Sequence, residues 1–227
     1  MSRYMALIVD FGGVLTTSIT TSLVQFCASA GVSPERLKEV LRGAYSEGET
    51  PSAALGHMVA DLETGRMSPD EFEPLLAEAL SDGLPVPLEA KGLIGRMFQS
   101  VGPDERMLEA VGAARKHGLK TAVLSNTWGR SVFFPDQFKA FDAVVLSEHE
   151  GVRKPEPEIY LIAAKKLGER PEACVFVDDV PRNVEGARAV GMAGVLHKDA
   201  VITIPKLEEL FGVSLSGEQP RATKEDR

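Results

Sequence analysis

Five short runs of apolar residues, none of them alternating with polar residues, constrain the fold of this chain most strongly. A strand buried on one face alternates apolar and polar residues, whereas a strand covered on both faces of a parallel sheet is apolar throughout. The runs therefore predict a parallel sheet. They lie directly before Asp10 and at Thr121 to Leu124, Ala143 to Leu146, Cys174 to Val177 and Ala193 to Leu196.

Helical patterns precede the second, fourth and fifth runs. Apolar residues recur at helical spacing from Met107 to Ala114, from Ile159 to Leu167 and from Val184 to Val190, and a glycine follows each segment. Glycine commonly ends a helix because it adopts the left-handed conformation without steric cost. Alternating strands and helices predict an α/β, doubly wound parallel sheet with a Rossmann-type core, which binds ligands beyond the carboxyl ends of its strands.

The connection after the first run is too long for one crossover. About a hundred residues separate Asp10 from the second run, where a strand–helix–strand unit needs only ~30. Apolar residues of the inserted segment recur at helical spacings. We therefore predict an α/β core at 1–16 and 101–213, an inserted helical cap at 17–100, and a polar C-terminal tail at 214–227.

Charge and cysteine content narrow the classes of function. The net charge of −8 and the isoelectric point near 5.1 argue against a general nucleic-acid or membrane-binding surface. Cys27 and Cys174 lack a metal-binding spacing, so we predict two buried free thiols. No apolar stretch is long enough for a membrane span or a secretion signal, and we expect a cytoplasmic protein.

Polar residues stand where four of the predicted strands end. Carboxylates that meet at this edge would repel one another and raise each other's pKa values unless a cation held them. Mg²⁺ prefers oxygen ligands and commonly binds through one or two carboxylates and a substrate phosphate. Lysine, hydroxyl and amide groups beside it favour a phosphoryl ligand. In chain order these residues are Asp10, Ser125, Asn126, Lys154, Asp178 and Asp179.

Four segments resemble the four ordered motifs of the haloacid dehalogenase (HAD) superfamily of hydrolases. They are Asp10 to Thr16, Leu124 to Trp128, Arg153 to Tyr160 and Val177 to Asn183. The resemblance covers residue 5 to about residue 197, and the insertion directly after the first motif is similar to that of the helical-cap subclass. The second and third motifs most resemble those of the phosphatase domain of soluble epoxide hydrolases and of sugar-phosphate phosphatases.

The resemblance implies a nucleophile and a metal site. Asp10 would attack phosphorus and form an aspartyl-phosphate, a reaction for which a carboxylate is competent. Mg²⁺ would be held by Asp10, the carbonyl of Gly12 and Asp179, with Asp178 as a direct or an outer partner.

The resemblance also implies how the phosphate is bound. Ser125 would hold the transferring phosphoryl group, with Asn126 and the glycine pair of Gly12 and Gly13 beside it. Lys154 would neutralise the nucleophile and the phosphate. Asn183 is either a further contact of the metal or substrate, or a structural helix cap.

Gly12 departs from the family pattern. Phosphatases that resemble this chain usually carry Asp at this position, as acid for the leaving alkoxide and base for the hydrolytic water. Glycine does neither, although its carbonyl still serves a metal. Losing a positioned acid or base typically costs ~10²–10⁴-fold in rate, which leaves a reduced activity in place.

Three functions remain open on these residues. The first is a Mg²⁺-dependent phosphatase whose acid comes from the cap, from His149 or from water, or whose substrate has a good leaving group. The second is a dehalogenase, in which Asp10 attacks carbon, although Asp178 and Asp179 favour a metal that dehalogenases do not need. The third is a non-catalytic protein that binds a phosphorylated ligand.

Substrate choice would rest with the cap, where four polar residues are candidate contacts: Arg42, Tyr45, His57 and Arg66. We expect the partner to be a small phosphorylated metabolite, and we expect a monomer or a homodimer.

Overall fold

The computed structural model describes residues 3–43, 51–129 and 138–216. It contains one five-stranded sheet in which every neighbouring pair of strands is parallel, in the order β3-β2-β1-β4-β5. The predicted α/β fold is confirmed. Against the predicted runs, β2 is one residue longer at each end and β4 one residue longer at its carboxyl end. The strands are β1 (Ala6–Val9), β2 (Lys120–Ser125), β3 (Ala143–Leu146), β4 (Cys174–Asp178) and β5 (Ala193–Leu196).

The strand order makes the carboxyl end of β1 the expected place for a ligand. From β1 the chain moves to one side through β2 and β3, and then to the other side through β4 and β5. Such a reversal opens a crevice at the carboxyl ends of the central strands. Val9 is in register with both Val123 and Val177, so the loops after β1, β2 and β4 start at nearly the same level.

Helices of the core cover both faces of the sheet. The four residues of β1 are at most 1% exposed, as expected for a strand packed on two sides. One apolar cluster includes Val9 and Met107, and the other includes Ile8 and Tyr160. The core helices are α6 (Glu105–Lys116), α7 (Ser147–Glu150), α8 (Pro157–Leu167), α9 (Pro181–Ala189) and α10 (Ala200–Phe211), with a 3₁₀ turn at Pro171–Ala173.

Within the described residues, five helices lie between β1 and α6 and have an apolar cluster of their own, which includes Phe26, Leu62 and Phe72. They are α1 (Ile19–Ala30), α2 (Pro34–Gly43), α3 (Pro51–Glu63), α4 (Pro69–Ser81) and α5 (Leu93–Met97). We call these five helices the helical segment. A capping box of Ser68 and Glu71 starts α4, because each side chain satisfies a backbone N–H of the first turn.

The two connections between core and helical segment run side by side. Thr17 N–H donates to the Gly102 carbonyl at 2.8 Å, and Asp104 N–H donates to the Leu15 carbonyl at 2.9 Å. These contacts lie next to the predicted boundaries at 17 and 100. The division into separate domains stays a prediction.

The C-terminal end of the described chain is held by Glu208. Its Oε1 accepts hydrogen bonds from the backbone N–H groups of Leu215, at 2.7 Å, and Ser216, at 2.9 Å, and Leu215 is fully buried. Packing therefore extends into the predicted tail, whose residues 217–227 lie outside the described part.

Two further expectations concern single features of the chain. Cys27 and Cys174 are buried and free, as the sequence predicts. Within the described ranges, we find no helix that combines the length and the apolar character needed to cross a membrane.

Candidate active site

Asp10 is fixed by the sheet at the carboxyl end of β1. Its backbone N–H donates to the Val177 carbonyl at 2.8 Å, and its carboxylate Oδ1 accepts from the Phe11 N–H at 2.7 Å. Lys154 Nζ lies 2.7 Å from the same oxygen. Among the described residues, both contacts of the carboxylate end on Oδ1, which leaves Oδ2 for a ligand.

Lys154 is buried among three acceptors. Besides Asp10, its Nζ contacts Asp178 Oδ2 at 2.7 Å and the Leu124 carbonyl at 3.0 Å, so each of its three N–H bonds has an acceptor. Its backbone is held by Asn126, which accepts from the Lys154 N–H at 2.9 Å and donates to the Lys154 carbonyl at 3.1 Å. Asn126 therefore ties the loop after β2 to the loop that carries the lysine.

Asp178 is fully buried and is held on both oxygens. Asn183 Nδ2 lies 3.0 Å from its Oδ1 and 3.1 Å from its Oδ2, and the Val180 N–H donates to Oδ1 at 2.8 Å. Val180 is the N-cap residue of α9. Asn183 therefore contacts a carboxylate of the cluster and is not the N-cap residue of α9. Its contact with a metal or a substrate stays a prediction. Asn183 Oδ1 is buried and has no hydrogen-bond partner within the described ranges.

Asp179 lies against the glycine turn that follows Asp10. A Cβ atom placed on Gly13 would stand 2.5 Å from Asp179 Oδ2, and Gly13 has a φ of +79°. Both facts require glycine there. One carboxylate oxygen from each of Asp10, Asp178 and Asp179 lies within 4.8 Å of the other two.

These neighbours shift three pKa values. Burial raises the pKa of Asp10 to about 7, against the opposing charge of Lys154 and with support from Asp178 and Asp179. Burial also raises the pKa of Asp179 to about 6, together with repulsion from Asp178. Burial alone would lower the pKa of Lys154, but Asp10 and Asp178 outweigh it, so the pKa is raised and the ammonium stays charged.

The donor set fits a hard divalent cation. One oxygen from each of the three carboxylates lies within 4.8 Å of the other two, and carboxylate oxygens are the ligands that Mg²⁺ prefers. The unpartnered Asn183 Oδ1 offers an acceptor for a metal-bound water. Asp10, Asp178 and Asp179 therefore offer a cluster of the oxygen ligands that suit Mg²⁺.

A cavity of about 340 Å³ opens above this cluster. Its floor includes all the predicted site residues except Gly13 and Asp178. Its walls are mostly apolar. They come from the helical segment, from the residue that follows it and from the loop after β2: Ile19, Leu23, Leu41 and Met97, then Phe98, and then Trp128. A polar floor below an apolar wall is suited to a ligand with one charged end.

Ser125 and Gly12 lie on this floor. Ser125 is 3% exposed, at the end of β2, and its hydroxyl donates to the Asn126 carbonyl at a long 3.3 Å. A Cβ on Gly12 would stand 3.5 Å from Cγ1 and Cδ1 of Ile19, which is ordinary van der Waals contact. The space beside Gly12 is therefore bordered by an apolar side chain.

Glu63, at the end of α3, is a cavity residue that the sequence analysis does not identify. It is 2% exposed, and Oε2 forms an ion pair of 2.7 Å with Arg153 and accepts from Asn126 at 3.3 Å. Oε1 accepts from the indole N–H of Trp128 at 3.1 Å. Its last-turn position on an apolar helix gives no local signal, because its partners are about 63 to 90 residues away.

Three of the other polar candidates lie within the described residues, and none of the three lines the cavity. His149 lies 3.4 Å from Glu148, and Arg66 pairs with Asp61 at 2.7 Å. His57 is exposed. Tyr45 and the side chain of Arg42 are outside the described part.

Comparison of this sequence with known proteins identifies a family of similar sequences. The sequence profile of the haloacid dehalogenase-like hydrolases matches residues 4–191. Bifunctional epoxide hydrolase 2 from Sus scrofa is 26% identical over 226 residues, which cover 92% of this chain and 39% of the relative. Acyl-CoA dehydrogenase family member 10 from Mus musculus is 30% identical, over 93% of this chain and 20% of the relative. This chain thus spans well under half of either relative.

A shorter relative and two solved structures are also similar to this chain. Sesquiterpene phosphatase astK from Aspergillus oryzae is 28% identical, over 66% of this chain and 77% of the relative. A HAD-like hydrolase from Porphyromonas gingivalis has a TM-score of 0.67 at 21% identity, covering 92% of this chain and 98% of its own. A HAD-family enzyme from Bacteroides thetaiotaomicron, in complex with magnesium and inorganic phosphate, has a TM-score of 0.60 at 20% identity, covering 86% and 94%. At these identities the structures support the fold.

Proposed function

Because this chain belongs to the haloacid dehalogenase-like hydrolases, we propose that it is a Mg²⁺-dependent phosphatase acting on a small phosphorylated metabolite through an aspartyl-phosphate at Asp10. One observation carries the proposal: Lys154 and two further carboxylates, Asp178 and Asp179, stand around the buried Asp10. The name of the Aspergillus oryzae relative supports phosphate esters as substrates.

Asp10 is the proposed nucleophile. Its Oδ1 is held by Lys154 and by the Phe11 N–H, which fixes the carboxylate plane, and Oδ2 attacks phosphorus. Because the carboxylate is already held in one orientation, the reaction avoids the entropy cost of orienting it. For free reactants, that cost is a large part of the barrier.

The phosphoryl group is bound by the residues on the floor of the cavity. The Ser125 hydroxyl has only a long hydrogen bond to the Asn126 carbonyl, so it can turn to a phosphoryl oxygen. Lys154 keeps its positive charge beside the attacked phosphorus and stabilises negative charge in the transition state. The amide of Asn126 keeps the Lys154 backbone in place.

Mg²⁺ would be held by Asp10, the Gly12 carbonyl and Asp179, with Asp178 as a direct or outer partner, and when bound it supplies positive charge for the phosphate oxygens. Asn183 holds Asp178 in the orientation that this site needs. Three clustered carboxylates favour this function over dehalogenation. They repel one another unless a cation is bound, and dehalogenation of a haloacid does not require a cation.

The two free, buried cysteines support the cytoplasm as the location.

A metal-dependence assay on phosphate monoesters tests the proposal. Wild type should release phosphate with Mg²⁺ and lose that activity with a chelator. Asp10→Asn, which is nearly the same in shape, should be inactive, whereas Asp70→Asn, an exposed acid on α4, should match wild type. Metal-independent release of halide from a 2-haloacid would instead assign the dehalogenase function, and tight phosphate-ester binding without turnover would assign the non-catalytic one.

A further inference from the structure

We infer that the substrate is an aryl phosphate: the ester of an apolar, phenol-type hydroxyl whose oxygen leaves without a proton from the protein. The inference rests on the proposed function and adds the class of the leaving group. Two independent features carry it: the apolar wall above Asp10, and the absence of an acid among the described residues that border the reacting oxygen.

The wall of the cavity offers little to a polar alcohol. Most of its described side chains are apolar, and Trp128 meets Phe98 edge to face at 5.9 Å between ring centroids. A sugar or glycerol phosphate would lose water from its hydroxyls along this wall and gain few partners there, which is costly. An aromatic ring loses water favourably and packs against the edges of other rings.

Gly12 has no side chain that could protonate the leaving oxygen. Ile19 lies 3.5 Å from the place of a Cβ on this glycine, so the neighbouring surface is hydrocarbon. Phenols ionise near a pKa of about 10, well below the ~15.7 of bulk water, which aliphatic alcohols resemble. A phenolate can therefore leave without being protonated by an acid, whereas an alkoxide needs that proton.

The other ionisable groups of the described lining have other partners. Both carboxylate oxygens of Glu63 accept hydrogen bonds, from Trp128 and Arg153 among others. Asp179 belongs to the carboxylate cluster beside Gly13. Lys154 is held by two carboxylates, and Arg182, like any arginine, does not release its proton.

The reaction balances without a protein acid. Asp10 forms a bond to phosphorus as the bond from phosphorus to the aryl oxygen breaks, and the electron pair leaves on the phenolate, which takes a proton from solvent. Water then attacks the phosphorus of the aspartyl-phosphate, the aspartate is released, and both protons of the water stay on the product, as dihydrogen phosphate.

The test compares kcat/KM with Mg²⁺ on substituted phenyl phosphates, on 2-phenylethyl phosphate and on glycerol phosphate. The second substrate keeps the ring but has an alkoxide leaving group. Wild type should prefer the aryl esters. Gly12→Asp should raise kcat/KM on 2-phenylethyl phosphate, relative to kcat/KM on the most acidic phenyl ester, by about 10²-fold, the lower end of what a positioned acid contributes. Gly12→Asn, which has the same shape and no acidic proton, should not raise this ratio.

A second pair of variants tests the wall. Leu23→Asn should raise KM for phenyl phosphates about tenfold, the low end of the effect of one pocket contact. Val24→Asn, exposed on the same helix and outside the cavity lining, should leave KM unchanged.

The inference is wrong if glycerol phosphate is turned over as efficiently as the phenyl esters, if Gly12→Asp and Gly12→Asn behave alike, or if Leu23→Asn leaves KM unchanged. In those cases Mg²⁺-dependent turnover that is lost in Asp10→Asn still supports the phosphatase. No Mg²⁺-dependent turnover of any ester rejects the phosphatase, and this inference with it.

Discussion

Glu63 and Arg153 form an ion pair of 2.7 Å that joins the end of α3 to the loop carrying Lys154. The glutamate side chain is 3% exposed and the arginine 20%. Because the same carboxylate also accepts from Trp128 and Asn126, the helical segment is connected to both loops that supply phosphate-binding residues.

Glu63→Gln should lower the free energy of unfolding by about 1–3 kcal/mol. Arg153, Asn126 and Trp128 all donate to this carboxylate, so the new amide N–H₂ faces a donor and at least one of them loses its acceptor. Turnover should fall by up to ~10²-fold if Lys154 moves by about 1 Å. Thermal unfolding and kcat measure the two effects. Glu39→Gln is the control, since its pair with Arg36 is at the surface, with the glutamate 61% exposed, and such pairs contribute little. Equal stability of the two variants would contradict the account.

Metal-free protein should lose stability as the pH rises from about 4 to 7. The pKa values of Asp10 and Asp179 are raised to about 7 and about 6, whereas an unfolded aspartate titrates near 3.9. Over this window these two carboxylates bind more protons in the folded than in the unfolded state, so their contribution to the free energy of unfolding decreases with pH. His197, whose pKa is lowered by burial, contributes in the opposite direction.

Mg²⁺ should reverse this loss, because a bound cation favours the ionised carboxylates. At about 100 times Kd, it should stabilise the fold by about 2.7 kcal/mol, which raises the Tm by about 5–10 °C for a chain of this size. The rise should be large at pH 7.5 and small at pH 5, where protons compete. Melting curves with and without Mg²⁺ at both pH values measure it, and an equal rise at both would argue against binding by these carboxylates.

Gly13→Ala and Gly31→Ala make a matched pair. Both glycines have positive φ, +79° and +70°, but a Cβ meets Asp179 at 2.5 Å in the first and open space in the second. Gly31→Ala should cost only the ~1–2 kcal/mol of the left-handed conformation. Gly13→Ala should also displace Asp179 and weaken Mg²⁺ binding by about 10–100-fold. Calorimetric titration with Mg²⁺ separates the two, and equal Mg²⁺ affinity in both variants would remove Asp179 from the metal site.

Lys154→Met should lower kcat by about 10²–10³-fold, the effect of removing one preorganised charge from a transition state. Asp10 and Asp178 would then lack their buried cation, so the pKa of Asp10 should rise further. We expect the acid limb of the pH–rate profile to move to higher pH, and an unmoved limb would contradict the pairing. Lys198→Met, at an exposed position, is the control.

The fold and the site floor follow from local sequence, whereas the walls do not. Unbroken apolar runs identify the strands because a parallel sheet is buried on both faces. Once the strands are placed, parallel topology brings Asp10, Lys154 and Asp178 together. Glu63 and Ile19 could not be identified in this way, since their contacts depend on how the helical segment packs on the core. Leu215 is similar: a polar stretch surrounds one residue that the core covers.

The aspartyl-phosphate is the central claim, and acid-quenched single turnovers with a ³²P-labelled phenyl phosphate test it most directly. With Mg²⁺, the label should appear transiently on the peptide that contains Asp10 in wild type and be absent in Asp10→Asn. Turnover of the ester by wild type with no label on that peptide at any time, or undiminished turnover in Asp10→Asn, would contradict the account.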